Sequence, residues 1–109
     1  MALIRNGGKY KVKIAVSSRL LNPGDHSSIL DSEDLGSGVE EIPEGECRYI
    51  GASKFSKDTN DSVFAIIAGE NGYVITSARI GPHDILEFNG EKFLDVNQVT
   101  GDCKKNHGW

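Results

Sequence analysis

The sequence predicts an all-β, mainly antiparallel fold: one domain, a β-barrel or β-sandwich of about six to eight short strands with one long acidic loop. Apolar and polar side chains alternate in several short runs, which is the period of a half-buried strand. Glycine-containing turn signals follow such runs at Asn6-Gly7-Gly8, Asn71-Gly72 and Asn89-Gly90. A helical period is almost absent. At 109 residues, the chain has the size of a single domain, 1–109, with one core.

The N-terminal region is predicted to form a hairpin. Apolar Leu3 precedes the Asn6-Gly7-Gly8 turn, and residues 10–16 then alternate between apolar and basic. Glycine supplies the positive φ that tight hairpin turns require. Basic side chains would mark the solvent face of the second arm, or alternatively a weak docking surface; they are Arg5, Lys9, Lys11, Lys13 and Arg19.

Residues 17–45 are predicted to be a long acidic connection, because the period of two is lost and glycines interrupt the segment. Its part 25–35 can hold a short helix, capped by Asp25 or Ser27. A connection of this length is unusual in a compact domain, and long loops tend to be either functional or disordered.

The remaining strands are predicted around 47–55 and in two hairpins that turn at Asn71-Gly72 and Asn89-Gly90. The tail, 101–109, is expected to pair as an edge or to lie on the surface. The candidate core residues are Val63, Phe64, Ile66, Ile67, Tyr73, Val74, Ile75, Ile85, Leu86, Phe88, Phe93 and Leu94.

The segment 31–46 contains seven of the chain's 16 acidic residues and no Lys or Arg, whereas the rest of the chain is net basic. Such a block can be a solvated loop, since like charges repel. It can also dock on a basic surface of a partner, with electrostatic steering of association. A calcium loop starting at Asp31 would place Gly36 correctly but would put Ile42 where a bidentate Glu is needed.

We therefore predict a non-enzymatic binding module that acts by occupancy, as an inhibitor, adaptor or accessory protein docking on a basic protein partner. The predicted docking residues combine acids with interleaved apolar anchors: Asp31, Glu33, Asp34, Leu35, Val39, Glu40, Glu41, Ile42, Glu44 and Glu46. An alternative is a self-assembling structural or accessory subunit of a larger particle, of the viral or phage type, in which the basic strand and the acidic block meet between or within chains.

Composition excludes several other classes. The pI near 5.3 argues against direct binding of nucleic acid. The longest strongly apolar run, 63–68, is far shorter than the roughly 20 residues that cross a bilayer. The start of the chain has no apolar stretch typical of a secretion signal, so a cytoplasmic location is expected. Cys47 and Cys103 could form at most one disulfide, but in that location they are expected to be reduced, buried or half-buried thiols.

Catalytic and metal-binding chemistry has weak support in the sequence. His26 follows Asp25 and His83 precedes Asp84, so two acid–base pairs could cleave a phosphodiester in the manner of a small RNase-like hydrolase, with Lys54 or Lys57 holding the phosphate. Cys103 and His107 have half of a zinc-site spacing, which Cys47 or His83 could complete. Adjacent residues of a strand point to opposite faces, and a zinc site normally uses two ligand pairs, so we predict neither an enzyme nor a cofactor.

Overall fold

The computed structural model of the chain describes residues 1–17, 40–55, 62–69, 74–99, 101–104 and 106–108. These residues form two sheets. The five-stranded sheet has the order β8 (Phe93–Asp95), β7 (Ile85–Phe88), β1 (Ala2–Asn6), β4 (Cys47–Ile50), β9 (Asn106–Gly108). The four-stranded sheet has the order β3 (Glu40–Ile42), β2 (Val12–Ser17), β5 (Ser62–Ala68), β6 (Val74–Ile80). A 3-10 turn at Ala52–Lys54 is the only helix in the described ranges.

The all-β prediction is confirmed, in the form of two stacked sheets rather than a closed barrel. The four-stranded sheet is antiparallel throughout, while β1 pairs parallel with β7 and β4 pairs parallel with β9. The core between the sheets takes alternate side chains from both, such as Ile4 and Phe88 on one side and Ile14 and Ile67 on the other. No helix in the described parts of the chain is long and apolar enough to cross a membrane.

Strand β5 is buried on both faces. Val63, Ala65 and Ile67 enter the core between the sheets, while Phe64 and Ile66 belong to a second buried cluster with Ala15 and Val74 on the opposite face. The uninterrupted apolar run of β5 follows from this position, because a central strand with two buried faces need not alternate.

The predicted core is only partly correct. Ile75 is 53% exposed because the register shifts next to it: Ile67 faces Thr76 and Ala68 faces Val74, which leaves Ile75 without an opposite residue. Ile85, Phe93 and Leu94 are half-buried, Tyr73 lies outside the described residues, and the other predicted core residues are buried.

The predicted N-terminal hairpin is wrong, because β1 and β2 lie in different sheets. Strand β1 is flanked by β4 and β7, and β2 is flanked by β3 and β5. The connection at residues 7–11 therefore carries the chain from one sheet to the other. Its glycines serve a close approach to β7, described below, rather than a hairpin turn.

The other two predicted hairpins are present. Strands β5 and β6 pair antiparallel, although the Asn71-Gly72 turn lies outside the described residues. Strands β7 and β8 also pair antiparallel, and Phe88 lies opposite Phe93 at the turn end of the pair. In the turn, the Asn89 side chain accepts hydrogen bonds from the N–H groups of Glu91 and Lys92, both at 2.9 Å. Gly90 has a φ of 101°, as this turn signal suggests.

The segment predicted to be a long loop contains β3, which pairs with β2 from Ile42 opposite Val12 to Glu40 opposite Ile14. The sequence Glu-Glu-Ile has low strand propensity, so this strand is held by its contacts rather than by its composition. The helix considered within 25–35 lies outside the described residues.

The expectation of two free thiols is also wrong. Cys47 in β4 and Cys103 form a disulfide with their Cα atoms 5.4 Å apart. Two backbone hydrogen bonds guide the end of the chain to this position: Val96 N–H donates to Ile85 O at 3.0 Å before the tail, and Lys104 N–H donates to Gly45 O at 2.8 Å within it. Strand β9 then pairs with β4. The tail therefore pairs as an edge, which is one of the two placements expected from the sequence.

Candidate functional site

The predicted docking segment is described only in its second half. Asp31, Glu33, Asp34, Leu35 and Val39 lie outside the described residues. Glu40, Glu41 and Ile42 form β3, and Glu44 and Glu46 follow in the connection to β4. Ile42 was predicted to be an apolar anchor for a partner, but its side chain is fully buried in the core between the sheets. It is therefore not exposed to a partner.

Two acids of β3 are paired within the chain. Arg48 in β4 contacts Glu40 through Nη1 at 3.2 Å and donates from Nη2 to the carbonyl of Glu41 at 3.0 Å. The Glu41 carboxylate lies 3.4 Å from Lys11 Nζ and 3.9 Å from Lys13 Nζ. At Glu40 and Glu41, the acidic segment and the basic strand thus meet inside one molecule.

Three connections meet at one end of the molecule and enclose an open cleft of about 420 Å³. They are the β1–β2 connection, the β3–β4 connection and the β7–β8 turn. We call this site the loop cleft, and its lining residues are Gly7, Gly8, Lys9, Tyr10, Glu44, Asn89, Gly90 and Glu91. Binding sites are frequently formed by loops that a rigid scaffold positions in this way.

Glycines allow the first of these connections to lie directly on the β7–β8 turn. Gly7 N–H donates to Phe88 O at 2.8 Å. A Cβ atom at Gly8 would lie 2.6 Å from Phe88 Cε2 and 2.8 Å from Gly90 Cα. Such distances are far below van der Waals contact, so a side chain at Gly8 would push the two loops apart.

Asn6 fixes the same connection from within. Its side chain is fully buried, its Nδ2 donates to Tyr10 O at 2.6 Å and to Ile42 O at 2.8 Å, and its Oδ1 accepts from Gly8 N–H at 2.9 Å. A buried amide with its donors and acceptor satisfied holds one geometry, because any other would leave polar groups without partners.

The backbone of Asn6 also holds the β3–β4 connection. Asn6 N–H donates to Glu46 O at 3.0 Å, and Gly45 N–H donates to Asn6 O at 2.7 Å. Gly45 has a φ of 80°, which favours glycine. The neighbouring Glu44 is therefore presented to the loop cleft by a constrained turn.

The rim of the loop cleft carries unpaired charge and an exposed ring. Tyr10 is 58% exposed. Glu44 and Glu91 are exposed, and within the described part of the chain neither carboxylate forms an ion pair or a hydrogen bond. By contrast, Glu87 is buried and contacts Arg5 Nη1 at 2.7 Å. Lys9 lines the same cleft but is not paired with either acid among the described residues. Two carboxylates and an aromatic ring in one cleft suit a further cation, which can gain both charge pairing and a cation–π contact.

Only one of the two predicted acid–base pairs, His83 with Asp84, lies among the described residues. Asp84 uses its carboxylate to accept from Gly81 N–H at 2.6 Å, which closes the turn before β7. His83 is exposed beside it, and His26, Asp25 and Lys57 lie outside the described ranges. The half zinc site is excluded at Cys103 and Cys47, because both sulfurs are in the disulfide and neither is a free thiolate.

Sequence reasoning included Glu44 but missed Tyr10, Asn89 and Glu91. The only signal for their proximity is a pair of glycine turns, Asn6-Gly7-Gly8 and Asn89-Gly90, which the local sequence assigns to two separate hairpins. Nothing in the local sequence indicates that one turn packs on the other.

Comparisons with family models, with curated proteins and with solved structures gave no match for this chain.

Proposed function

We propose that this chain is a non-enzymatic binding module that acts by occupancy, and that its loop cleft receives a basic segment of a protein partner. The observation that carries the proposal is that the two acidic residues of the cleft form no ion pair. Glu44 and Glu91 are exposed in the same cleft as Tyr10 and form no ion pair among the described residues, although Lys9 also lines the cleft, whereas Glu40 and Glu41 are paired. Unpaired acids next to an exposed ring are the groups that a partner cation can use.

Energetics require several contacts to act together. An exposed ion pair contributes about 0–1 kcal/mol, and an exposed cation–π contact about 0.5–1 kcal/mol. The net charge of −4 would attract a basic partner over a longer range. The acidic residues of the segment 31–39 would strengthen this electrostatic attraction. That they dock on the partner stays a prediction.

A peptide-binding assay tests the cleft. The probe is a fluorescein-labelled oligolysine peptide, with an oligoglutamate peptide of the same length as the negative probe. Replacing Glu44→Gln and Glu91→Gln together is expected to weaken oligolysine binding about tenfold, since two exposed pairs amount to about 1.4 kcal/mol. The affinity of the wild type should fall as salt increases.

The matched control removes the same charge elsewhere. Asp95→Asn with Glu41→Gln also neutralises two exposed carboxylates, and both residues lie outside the loop cleft and outside the tail of the chain. This control should bind nearly as well as the wild type. An equal loss in the two double variants would mean that only net charge matters, and the cleft would then not be the site.

The aromatic contribution has its own paired test. Tyr10→Leu should weaken oligolysine binding about twofold to fivefold, as loss of an exposed cation–π contact predicts. Tyr49 is also exposed, at 38%, but does not line the cleft, so Tyr49→Leu should leave the affinity unchanged. Equal affinities for both variants and the wild type would remove Tyr10 from the proposal.

A second candidate function is self-assembly, supported by strand β6. This strand is seven residues long, lies at the end of its sheet and exposes Ile75. A long edge strand that exposes an apolar side chain can pair with other chains. Light scattering over a range of concentrations should then show oligomers that Ile75→Lys abolishes, whereas a monomer at every concentration would contradict this candidate.

A further inference from the structure

The Cys47–Cys103 disulfide lies directly after the β3–β4 connection, which carries Glu44. Residues 101–104, here called the strap, run across the outer face of the five-stranded sheet. Arg5 Nε donates to Asp102 O at 3.4 Å, Cys103 is bonded to Cys47 in β4, and Lys104 N–H donates to Gly45 O at 2.8 Å. The strap thus reaches the β3–β4 connection through its last residue.

Gly45 is held from two sides. Its N–H is bound by Asn6 O, while its carbonyl is bound by the strap. A Cβ atom at Gly45 would lie 3.0 Å from Lys104 Cδ and Cε, so the aliphatic part of Lys104 packs directly on this glycine. Glu44, the residue before it, lines the loop cleft. The strap and Asn6 therefore clamp the turn that carries one of the two cleft acids.

We propose that the Cys47–Cys103 disulfide controls the loop cleft: the oxidised form holds Glu44 in place to bind a basic segment, and reduction releases the strap and weakens binding. This inference rests on the proposed function. Apart from the disulfide, the strap is held mainly by a long hydrogen bond from Arg5, by Lys104, and by the three residues of β9 that follow. Loss of the cross-link frees the segment that supplies one side of the clamp.

The reductant is a dithiol, as in the proteins that reduce disulfides in cells. Its thiolate attacks Sγ of Cys103, because Cys103 is partly exposed while Cys47 is fully buried. The S–S bond breaks, and Cys47 leaves as a thiolate and takes up a proton. The second thiol of the reductant then attacks the mixed disulfide, so that Cys103 is released as a thiol and the dithiol becomes a cyclic disulfide. Two electrons and two protons pass to the protein.

The cellular setting of this chemistry follows from general redox rules. Disulfides persist in oxidising compartments, and in a reducing cytosol they are usually transient and regulatory. In an oxidising compartment the loop cleft would stay in its binding form. In a reducing cytosol, binding would follow the local thiol balance.

The test compares the oxidised chain with the same chain reduced by dithiothreitol. Oligolysine binding should weaken at least about fivefold on reduction, the lower end of typical coupling between sites. Hydrogen exchange should become faster at the amide of Lys104, which donates to Gly45 O, and at the amide of Gly45, which donates to Asn6 O. Amides of the β2–β5 ladder, such as those of Ile14 and Ala65, should keep their protection and so report that the sheets remain folded.

Cys103→Ser supplies the matched control. It should bind oligolysine like the reduced wild type and should not respond to dithiothreitol. Equal binding by the two wild-type forms, unchanged exchange at Gly45, or loss of protection throughout the β2–β5 ladder would each overturn the inference. Absence of binding by the oxidised wild type would instead refute the proposed function, and the inference with it.

Discussion

Asn6 is a buried polar residue that joins both sheets. It belongs to β1, and its side chain bonds the carbonyl of Ile42 in β3 as well as the backbone of Gly8 and Tyr10. The sequence suggested a turn here because Asn and Gly favour turns. The long-range bond to Ile42 could not be predicted, because it depends on which strands become neighbours after folding.

The first prediction concerns this network. Asn6→Ala should lower the free energy of unfolding by about 3 kcal/mol, because it leaves buried donors and acceptors without partners. Asn89→Ala is the control: its side chain also bonds two backbone N–H groups, but the site is exposed and water can replace it, so the loss should be about 1 kcal/mol or less. Chemical denaturation measures both. Equal losses would contradict the role assigned to burial.

The elements differ in how far local sequence determines them. The hairpins β5–β6 and β7–β8 were predictable, since each joins two apolar runs through a short glycine-containing connection. The N-terminal hairpin was not a safe prediction, because glycine also allows close packing, as at Gly8 against Phe88. Strand β3 escaped prediction because charge pairing and the burial of Ile42 stabilise it, and both depend on distant residues.

The second prediction tests how β3 is held. Glu41→Gln should change the free energy of unfolding by less than about 1 kcal/mol, because the Lys11 and Glu41 side chains are 64% and 44% exposed. Glu40→Gln should cost more, about 1–2 kcal/mol, since Arg48 is only 11% exposed and its Nε has no hydrogen-bond partner. Thermal and chemical denaturation of both variants compare them. A larger loss for Glu41→Gln would contradict this assignment.

At the scale of the whole molecule, the disulfide closes most of the second half of the chain into one loop, with a sequence separation of 56. The sequence favoured two reduced thiols only through the expected cytoplasmic location, whereas the disulfide depends on the path of the tail across the five-stranded sheet. The hydrogen bonds that Val96 and Lys104 donate to Ile85 and Gly45 define this path in the structure.

The third prediction follows from this closure. Reduction of the disulfide should lower the free energy of unfolding by about 4 kcal/mol, the chain-entropy value for a loop of this length. The domain should still fold, because typical stabilities are about 5–15 kcal/mol. Urea denaturation with and without dithiothreitol measures the difference, and Cys103→Ser without reductant should match the reduced wild type. A difference below about 1 kcal/mol would mean that the strap contributes little to stability.

The central claim is that the loop cleft binds a basic segment, and titration of the ¹⁵N-labelled, oxidised chain with oligolysine peptide tests it most directly. The account predicts that backbone amide shifts change in a saturable manner at Gly8, Tyr10, Glu44 and Gly90, which line the loop cleft, and that the changes shrink in the Glu44→Gln, Glu91→Gln variant. Shift changes confined to other surfaces, or no saturable change at the cleft residues, would contradict it.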